Sequence, residues 1–173
     1  VKDGSGNLAG GDNVEAVRCF GTVNISGGTF TLNTGRGSGC RVFRGTLTIS
    51  GNPVFNIKTT TSARGIGVAD WSQSAYCHKE NNLAEAVING GTFHVTATGS
   101  NVIGAYAARY VTNDGYGVSG KITINGGEFI CTGGSSVNAV SRLENQPAAY
   151  GTATATLIIN GGKFKSRTGT PAN

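Results

Sequence analysis

Apolar and polar residues alternate along several short stretches of this chain, and a pair of small residues interrupts each stretch. In the first, Val23 and Ile25 precede a pair of glycines, and Phe30 and Leu32 follow it. Alternation with a period of two is typical of a β-strand that buries one face. The pattern therefore predicts two short strands joined at a corner, with these four residues on the buried side.

The same phrase occurs five times, which identifies it as a structural repeat. The steps between the first glycines are 24, 39, 36 and 35 residues. A repeat therefore has a minimum length near 24 residues, and the later ones carry insertions. The second copy has an extra residue at Pro53, which predicts a bulge. The five copies are residues 23–30, 47–55, 86–93, 122–129 and 157–164.

A third alternating run lies between the copies and predicts a third strand in each repeat. Three short strands per repeat predict an all-β fold, a right-handed parallel β-helix of about five coils. The alternative is an antiparallel meander with hairpin turns at Asn-Gly, but its strands would be very short and most of each repeat would stay unpaired. The third-strand pairs are Cys40 and Val42, Ile66 and Val68, Ile103 and Ala105, Val137 and Ala139, with Val14 and Ala16 before the first copy.

The β-helix has two local consequences. Parallel stacking places equivalent residues about 4.8 Å apart, so the phenylalanines after the corner, including Phe93 and Phe129, should form a ladder. The corner itself needs a residue with positive φ, which glycine adopts freely. We expect that conformation at Gly90 and Gly126.

Composition agrees with a repetitive fold. Only 38% of the 173 residues are hydrophobic, which is few for a conventional layered core. The 29 glycines, by contrast, can form many tight corners. We expect one β-helix domain over residues 1–173. The chain opens on an orphan third strand and closes without a cap, so we expect it to be a segment of a longer chain, with further coils or domains beyond the termini.

Several function classes are disfavoured. A net charge of +5 spread over 13% charged residues is too dilute for nucleic acid, and no apolar run is long enough to insert in a membrane. The four cysteines form no C-x-x-C pair, and His78 and His94 lack partners for a metal site. We predict no metal and no cofactor, and we expect Cys77 to be the most reactive thiol because its loop is polar.

The insertions predict a candidate binding edge. They cover residues 69–83, 107–119 and 142–154, all after a third strand, and would stack on one edge. Aromatic rings with polar tips are suited to sugars, although such rings also cover small loop cores. Arg18, Arg44, Arg109 and Arg142 end their third strands and would form a column that suits acidic groups, or simply keeps strand ends soluble. The candidate ligand-binding residues are Trp71, Tyr76, Arg109, Tyr110, Tyr116, Arg142 and Tyr150.

Catalysis has little support in the sequence. Glycosidases need two facing carboxylates, and only Asp70, Glu80, Asp114 and Glu144 lie in the insertions, without a D-x-D motif or a repeated acid ladder. Asp70 and Asp114 could meet across a coil, but we assign no catalytic residue. An ice-binding β-helix would need a flat, regular row of threonines, and Thr22, Thr46, Thr123 and Thr156 align only partly.

The motif I-N-G-G-x-F, at residues 88–93, 124–129 and 159–164 with a looser form at 25–30, resembles the repeats of secreted bacterial surface proteins with pectate-lyase-like β-helices. The resemblance covers nearly the whole chain but specifies only corner and core. It implies a secreted or cell-surface, non-enzymatic adhesive module that binds a polysaccharide. An acidic glycan bound at the loop-bearing edge is the favoured ligand. The alternatives are a polysaccharide lyase or glycoside hydrolase of the same fold, and a structural stalk or phage tail-fibre segment.

Overall fold

The computed structural model describes residues 14–69, 82–99, 101–111, 117–144 and 153–168, and these residues contain β-strands and no helix. The predicted all-β class is confirmed. The strands are β1 Val14–Cys19, β2 Thr22–Ile25, β3 Thr29–Val42, β4 Gly45–Ile49, β5 Val54–Val68, β6 Asn82–Ile88, β7 Thr92–Ala97, β8 Asn101–Val111, β9 Gly117–Ile124, β10 Glu128–Gly133, β11 Ser136–Glu144, β12 Ala155–Ile159 and β13 Lys163–Thr168.

The strands form one mixed sheet in which corresponding strands of successive repeats pair in parallel. The first stack is β2, β4, β6, β9 and β12. The second is the start of β3 and of β5, then β7, β10 and β13. The third is β1, the ends of β3 and β5, then β8 and β11. Because repeats pair in parallel, the antiparallel-meander alternative is wrong for these strands.

Equivalent side chains stack on the inner side of the strands. The rings of Phe30, Phe55, Phe93, Phe129 and Phe164 form one continuous ladder with centroid separations of 4.7, 4.8, 4.7 and 5.6 Å. Aliphatic residues of the first and third stacks join these rings in a single hydrophobic cluster. The inner face predicted from alternation therefore supplies the core, in which Phe55, Phe93 and Phe129 are among the largest fully buried side chains.

The corner between the first two strands carries an asparagine ladder. The Asn125 side-chain amide donates to Asn89 Oδ1 at 2.9 Å, and that of Asn160 donates to Asn125 Oδ1 at 2.8 Å. Each asparagine also begins a turn whose backbone N–H groups donate to the preceding repeat. The asparagine ladder therefore adds side-chain hydrogen bonds between repeats to the backbone bonds of the corner.

The expected positive φ at Gly90 and Gly126 is wrong. The left-handed conformation belongs to the second glycine of each pair, as at Gly91 (φ 92°) and Gly127 (φ 94°). The first glycine is needed for a different reason, since a Cβ on Gly126 would lie 2.7 Å from the carbonyl oxygen of Asn89 in the preceding repeat. Alternation along one strand could not reveal this contact between repeats.

The third stack has a different register from the one predicted. Cys40 pairs with Ile66 as expected, but Ile66 pairs with Ala105 rather than Ile103, and Val17 rather than Val14 pairs with Cys40. In the observed register Gly104 lies at a crowded position, because a Cβ there would overlap the carbonyl oxygen of Ala139 in the next repeat and would lie 3.0 Å from the Cys131 sulfur.

The prediction of three separate strands per repeat is also wrong for the first two repeats. There β3 and β5 run continuously through the second and third stacks, with a register irregularity between Thr34 and Arg36. The predicted insertion at 107–119 is partly a hairpin, because the end of β8 pairs antiparallel with the start of β9. Likewise β6 begins at Asn82 and β11 runs to Glu144, inside the predicted insertions 69–83 and 142–154.

Replacement of Phe93 by alanine should lower the free energy of unfolding by about 3 to 5 kcal/mol, because it leaves a cavity between two stacked rings. The matched variant is Phe164→Ala at the end of the same ladder, which should cost at most about 2 kcal/mol since its ring is partly in water. Chemical denaturation of both variants measures the difference. Equal losses would contradict the ladder.

Gly126→Ala should destabilise the protein by more than about 1 kcal/mol, because the new methyl group would press on backbone that cannot move away. Gly27 occupies the same place in the first repeat, and a Cβ there would meet nothing within 4 Å. Gly27→Ala should therefore leave the unfolding midpoint of the dilute protein nearly unchanged. If both substitutions cost the same, contact between repeats is not what requires glycine.

Candidate functional site

The aromatic part of the predicted binding edge lies mostly outside the described residues. This holds for Trp71, Tyr76, Tyr116 and Tyr150, which stay predictions. Tyr110 is on β8, and its backbone pairs with Val118 of β9.

The two arginines of the predicted site do not form the expected column. Arg109 is 7% exposed, and its Nη1 donates to the carbonyl oxygen of Ala153 at 2.9 Å. Arg142 Nη1 donates to the carbonyl oxygen of Ala155 at 3.1 Å, and in register Arg142 faces Ala107, two residues before Arg109. Both guanidinium groups hold the backbone that leads into β12.

The other two predicted column members, Arg18 and Arg44, do not align with one another. Arg18 is exposed and aligns with Arg41 rather than Arg44. Glu15 joins the aligned pair, accepting from Arg18 Nη2 at 2.7 Å and from Arg41 Nη1 at 2.6 Å. Because the side chains of Glu15 and Arg41 are only 4% and 3% exposed, this ion pair is shielded from solvent, and Glu15 offsets part of the positive charge of the two arginines.

No two carboxylates converge among the acidic side chains that the structure describes. Glu15 pairs with the arginines above, Glu85 with Lys121 at 2.8 Å, and Glu128 with Lys165 at 2.8 Å. These three lie in different stacks. Asp3, Asp12, Asp70, Glu80 and Asp114 are outside the described residues, as is His78, so the candidate catalytic pair of Asp70 and Asp114 stays a hypothesis.

The described part of the chain contains no group of three histidine, cysteine or acidic side chains that could hold a metal. It also contains no helix of the length and hydropathy that a membrane span requires.

A basic surface lies where sequence reasoning placed none, on the outer face of the second stack. We call it the basic face. Its outward positions are Thr29, Thr31 and Asn33 on β3, Val54, Asn56 and Lys58 on β5, Thr92, His94 and Thr96 on β7, Glu128, Ile130 and Thr132 on β10, and Lys163, Lys165 and Arg167 on β13.

The charges of the basic face concentrate at one end. Lys163, Lys165 and Arg167 alternate with inward positions along β13, so their Cα atoms are about 7 Å apart. All three are exposed, and Lys58 is exposed farther along the column that contains Arg167. Glu128 is the one carboxylate among the fifteen outward residues. Threonine and asparagine occupy most other positions, so the surface offers hydroxyl and amide hydrogen bonds beside its cations.

Glu128 moderates the charge of this face. A hydrogen bond from Lys165 lowers the pKa of the Glu128 carboxyl; desolvation partly opposes this effect, and the charges of Lys165, Lys163 and His94 add smaller contributions that lower the pKa. Glu128 therefore keeps its charge to a lower pH than an ordinary glutamate does, and it competes with an external anion for Lys165.

The basic face has a signal in the sequence. Lys163, Lys165 and Arg167 alternate with Phe164 and Ser166, and this alternation predicts three cations on one side of a strand.

Comparison with known proteins returns no match: no protein-family model, curated protein or solved structure matches this chain significantly.

Three of the four thiols should be unreactive in the folded protein. Cys19, Cys40 and Cys131 are free and buried, and burial raises the pKa of the Cys131 thiol to about 12 and that of Cys40 further. Because the thiolate is the reacting form, Ellman's reagent at pH 8 should titrate one thiol quickly and all four after unfolding. The fast thiol should disappear in Cys77→Ser. Fast reaction of two or more would contradict the buried positions.

Proposed function

We propose that this chain is part of a right-handed parallel β-helix that serves as a rigid, non-catalytic module of a secreted or cell-surface protein, and that its basic face binds an acidic polysaccharide. The fold proposal is supported by three parallel stacks whose inward residues share one hydrophobic cluster. Such a stack offers long flat faces with little conformational freedom to lose on binding. The I-N-G-G-x-F repeats are consistent with the resemblance to bacterial surface β-helices.

The binding proposal depends on one observation, the row of Lys163, Lys165 and Arg167 on an exposed, hydroxyl-rich face. A polysaccharide with carboxylate or sulfate groups is an extended chain of regularly spaced anions, so it can pair with cations in a row while its hydroxyls bond to threonine and asparagine. This moves the proposed contact from the loop-bearing edge to the flat face, because Arg109 and Arg142 already bond to backbone. Trp71 and the four tyrosines of the predicted site stay candidates for an additional contact at the edge.

Binding can be tested with polygalacturonate, dextran sulfate and neutral dextran by isothermal titration at several salt concentrations. Lys165→Gln should weaken binding to the anionic polymers by about two- to fivefold. Lys121→Gln is a close control, because Lys121 also pairs with a glutamate of the preceding repeat at 2.8 Å but lies on the first stack. It should leave affinity unchanged.

Removal of the Glu128 carboxylate should change the affinity for anionic polymers in the opposite direction. Glu128→Gln frees Lys165 and should strengthen binding to the anionic polymers, whereas Glu85→Gln, its counterpart on the first stack, should not. The triple change of Lys163, Lys165 and Arg167 to glutamine should also flatten the salt dependence, since screened charge contacts are lost. Equal effects from both stacks would indicate attraction by net charge alone and would reject a site on the basic face.

Two further measurements separate the alternatives. Trp71→Ala should lower affinity only if the loop-bearing edge takes part, because ring stacking is short-ranged. Incubation with polygalacturonate should produce neither reducing ends nor unsaturated products. Product formation would replace the binding proposal with the lyase or hydrolase alternative.

A further inference from the structure

Three corners of the repeat share one local sequence, which is an isoleucine, an asparagine and two glycines. An asparagine followed by glycine readily loses its side-chain amide, because glycine has no side chain to keep its backbone nitrogen away from the asparagine Cγ. The three sites have equal intrinsic reactivity, so any difference between them in the folded protein comes from their surroundings. They are residues 88–91, 124–127 and 159–162.

The middle asparagine is held at every group that this reaction uses. The Asn125 side-chain nitrogen donates to Asn89 Oδ1 at 2.9 Å, and Asn125 Oδ1 accepts from Asn160 at 2.8 Å. The backbone N–H of Gly126, which carries the attacking nitrogen, donates to the carbonyl oxygen of Ile88 at 3.2 Å. Reaction at Asn125 therefore requires the corner to open first.

The last of the three asparagines is restrained in the same two places. Asn160 Nδ2 donates to Asn125 Oδ1 at 2.8 Å, which holds the leaving group. The Gly161 N–H donates to the carbonyl oxygen of Ile124 at 3.2 Å, which holds the attacking nitrogen. Asn160 should therefore also react slowly while the corner is folded.

Asn89 stands at the start of the asparagine ladder and lacks these restraints. Its side chain is exposed and accepts from Asn125, and the corresponding residue of the preceding repeat is Ser50. In the described part of the chain, neither Asn89 Nδ2 nor the Gly90 N–H donates a hydrogen bond. The leaving group and the attacking nitrogen are both free, while the bond from Asn125 polarises the Asn89 side-chain carbonyl toward attack.

We infer that Asn89 is a site of selective, spontaneous deamidation, from which the ladder protects Asn125 and Asn160. The Gly90 nitrogen attacks Asn89 Cγ and forms a C–N bond, and Nδ2 leaves as ammonia with the proton that Gly90 gives up. One water molecule then opens the five-membered succinimide ring. Cleavage between Cγ and the Gly90 nitrogen gives aspartate, whereas cleavage at the backbone carbonyl gives isoaspartate. The net change replaces NH2 by OH, so no oxidant or reductant takes part.

The corner accommodates a carboxylate at position 89 but not at position 125. A carboxylate at 89 keeps the oxygen that accepts from Asn125 and strengthens that bond through its charge. A carboxylate at 125 would lose the donor and set two oxygens against each other. Isoaspartate at 89 would lengthen the backbone between the bonds from Asn89 N to Ile49 O and from Thr92 N to Pro53 O, at 2.8 and 2.9 Å. Aspartate is therefore the product that the fold retains, and it adds one negative charge to the corner.

Peptide mass spectrometry of the 173-residue protein tests the inference, after incubation at pH 8 below the unfolding transition. Trypsin places the three corners in separate peptides, residues 80–109, 122–142 and 143–163, and fragmentation assigns the site within each. Deamidation at Asn89 should be at least about tenfold faster than at Asn125 and Asn160. That ratio equals about 1.4 kcal/mol of free energy to open the protected corners.

The same protein in guanidinium chloride is the internal control, because its three identical corner sequences should react at similar rates once unfolded. Asn89→Ser removes the site but keeps a residue that the corner already uses at Ser26 and Ser50. This variant should release less ammonia and unfold at nearly the same midpoint as the wild type.

The product is tested by substitution. Asn89→Asp should melt at or above the temperature of the wild type, whereas Asn125→Asp should melt lower. Folded protein that reacts equally fast at Asn89 and Asn125, or a preference for Asn89 that persists after unfolding, would overturn the inference. Equal destabilisation by the two aspartate substitutions would reject the accommodation of the product at position 89.

Discussion

The structure depends on the parallel stacking of equivalent residues from one repeat to the next. A single repeat is too short to bury its own apolar face, so its core exists only where a neighbour lies against it. Backbone hydrogen bonds between paired strands set the spacing. Phe93 shows the result, with ring centroids 4.8 Å from Phe55 on one side and 4.7 Å from Phe129 on the other.

The same constraint organises the surface. Outward residues of successive strands also fall into columns, so one substitution per repeat can build an extended face of uniform chemistry. Two ion pairs show that outward residues align in columns. Lys121 contacts Glu85 on the first stack, and Lys165 contacts Glu128 on the second, in each case across neighbouring strands. The basic face follows from this geometry, and its rigidity comes from the core beneath it.

Departures from the repeat are stabilised by polar side chains. Arg109 and Arg142 donate to the backbone carbonyls of Ala153 and Ala155, just before and at the start of β12. At the start of the third stack, Glu15 joins two arginines in a largely buried cluster. Arginines that end a strand in the sequence therefore need not be ligand-binding, because irregular backbone has carbonyl groups that require donors.

Sequence alone determined the local elements: the strands around each corner, the inward side chains and the phenylalanine ladder. These follow from alternation and residue type within a few residues, and period two leaves one choice of buried face. The tertiary structure decided what depends on a neighbouring repeat. Gly126 is needed because of the Asn89 carbonyl, Gly104 lies against the Ala139 carbonyl, and Arg109 donates to the Ala153 backbone. Partners 35 to 44 residues away are not encoded in a local pattern.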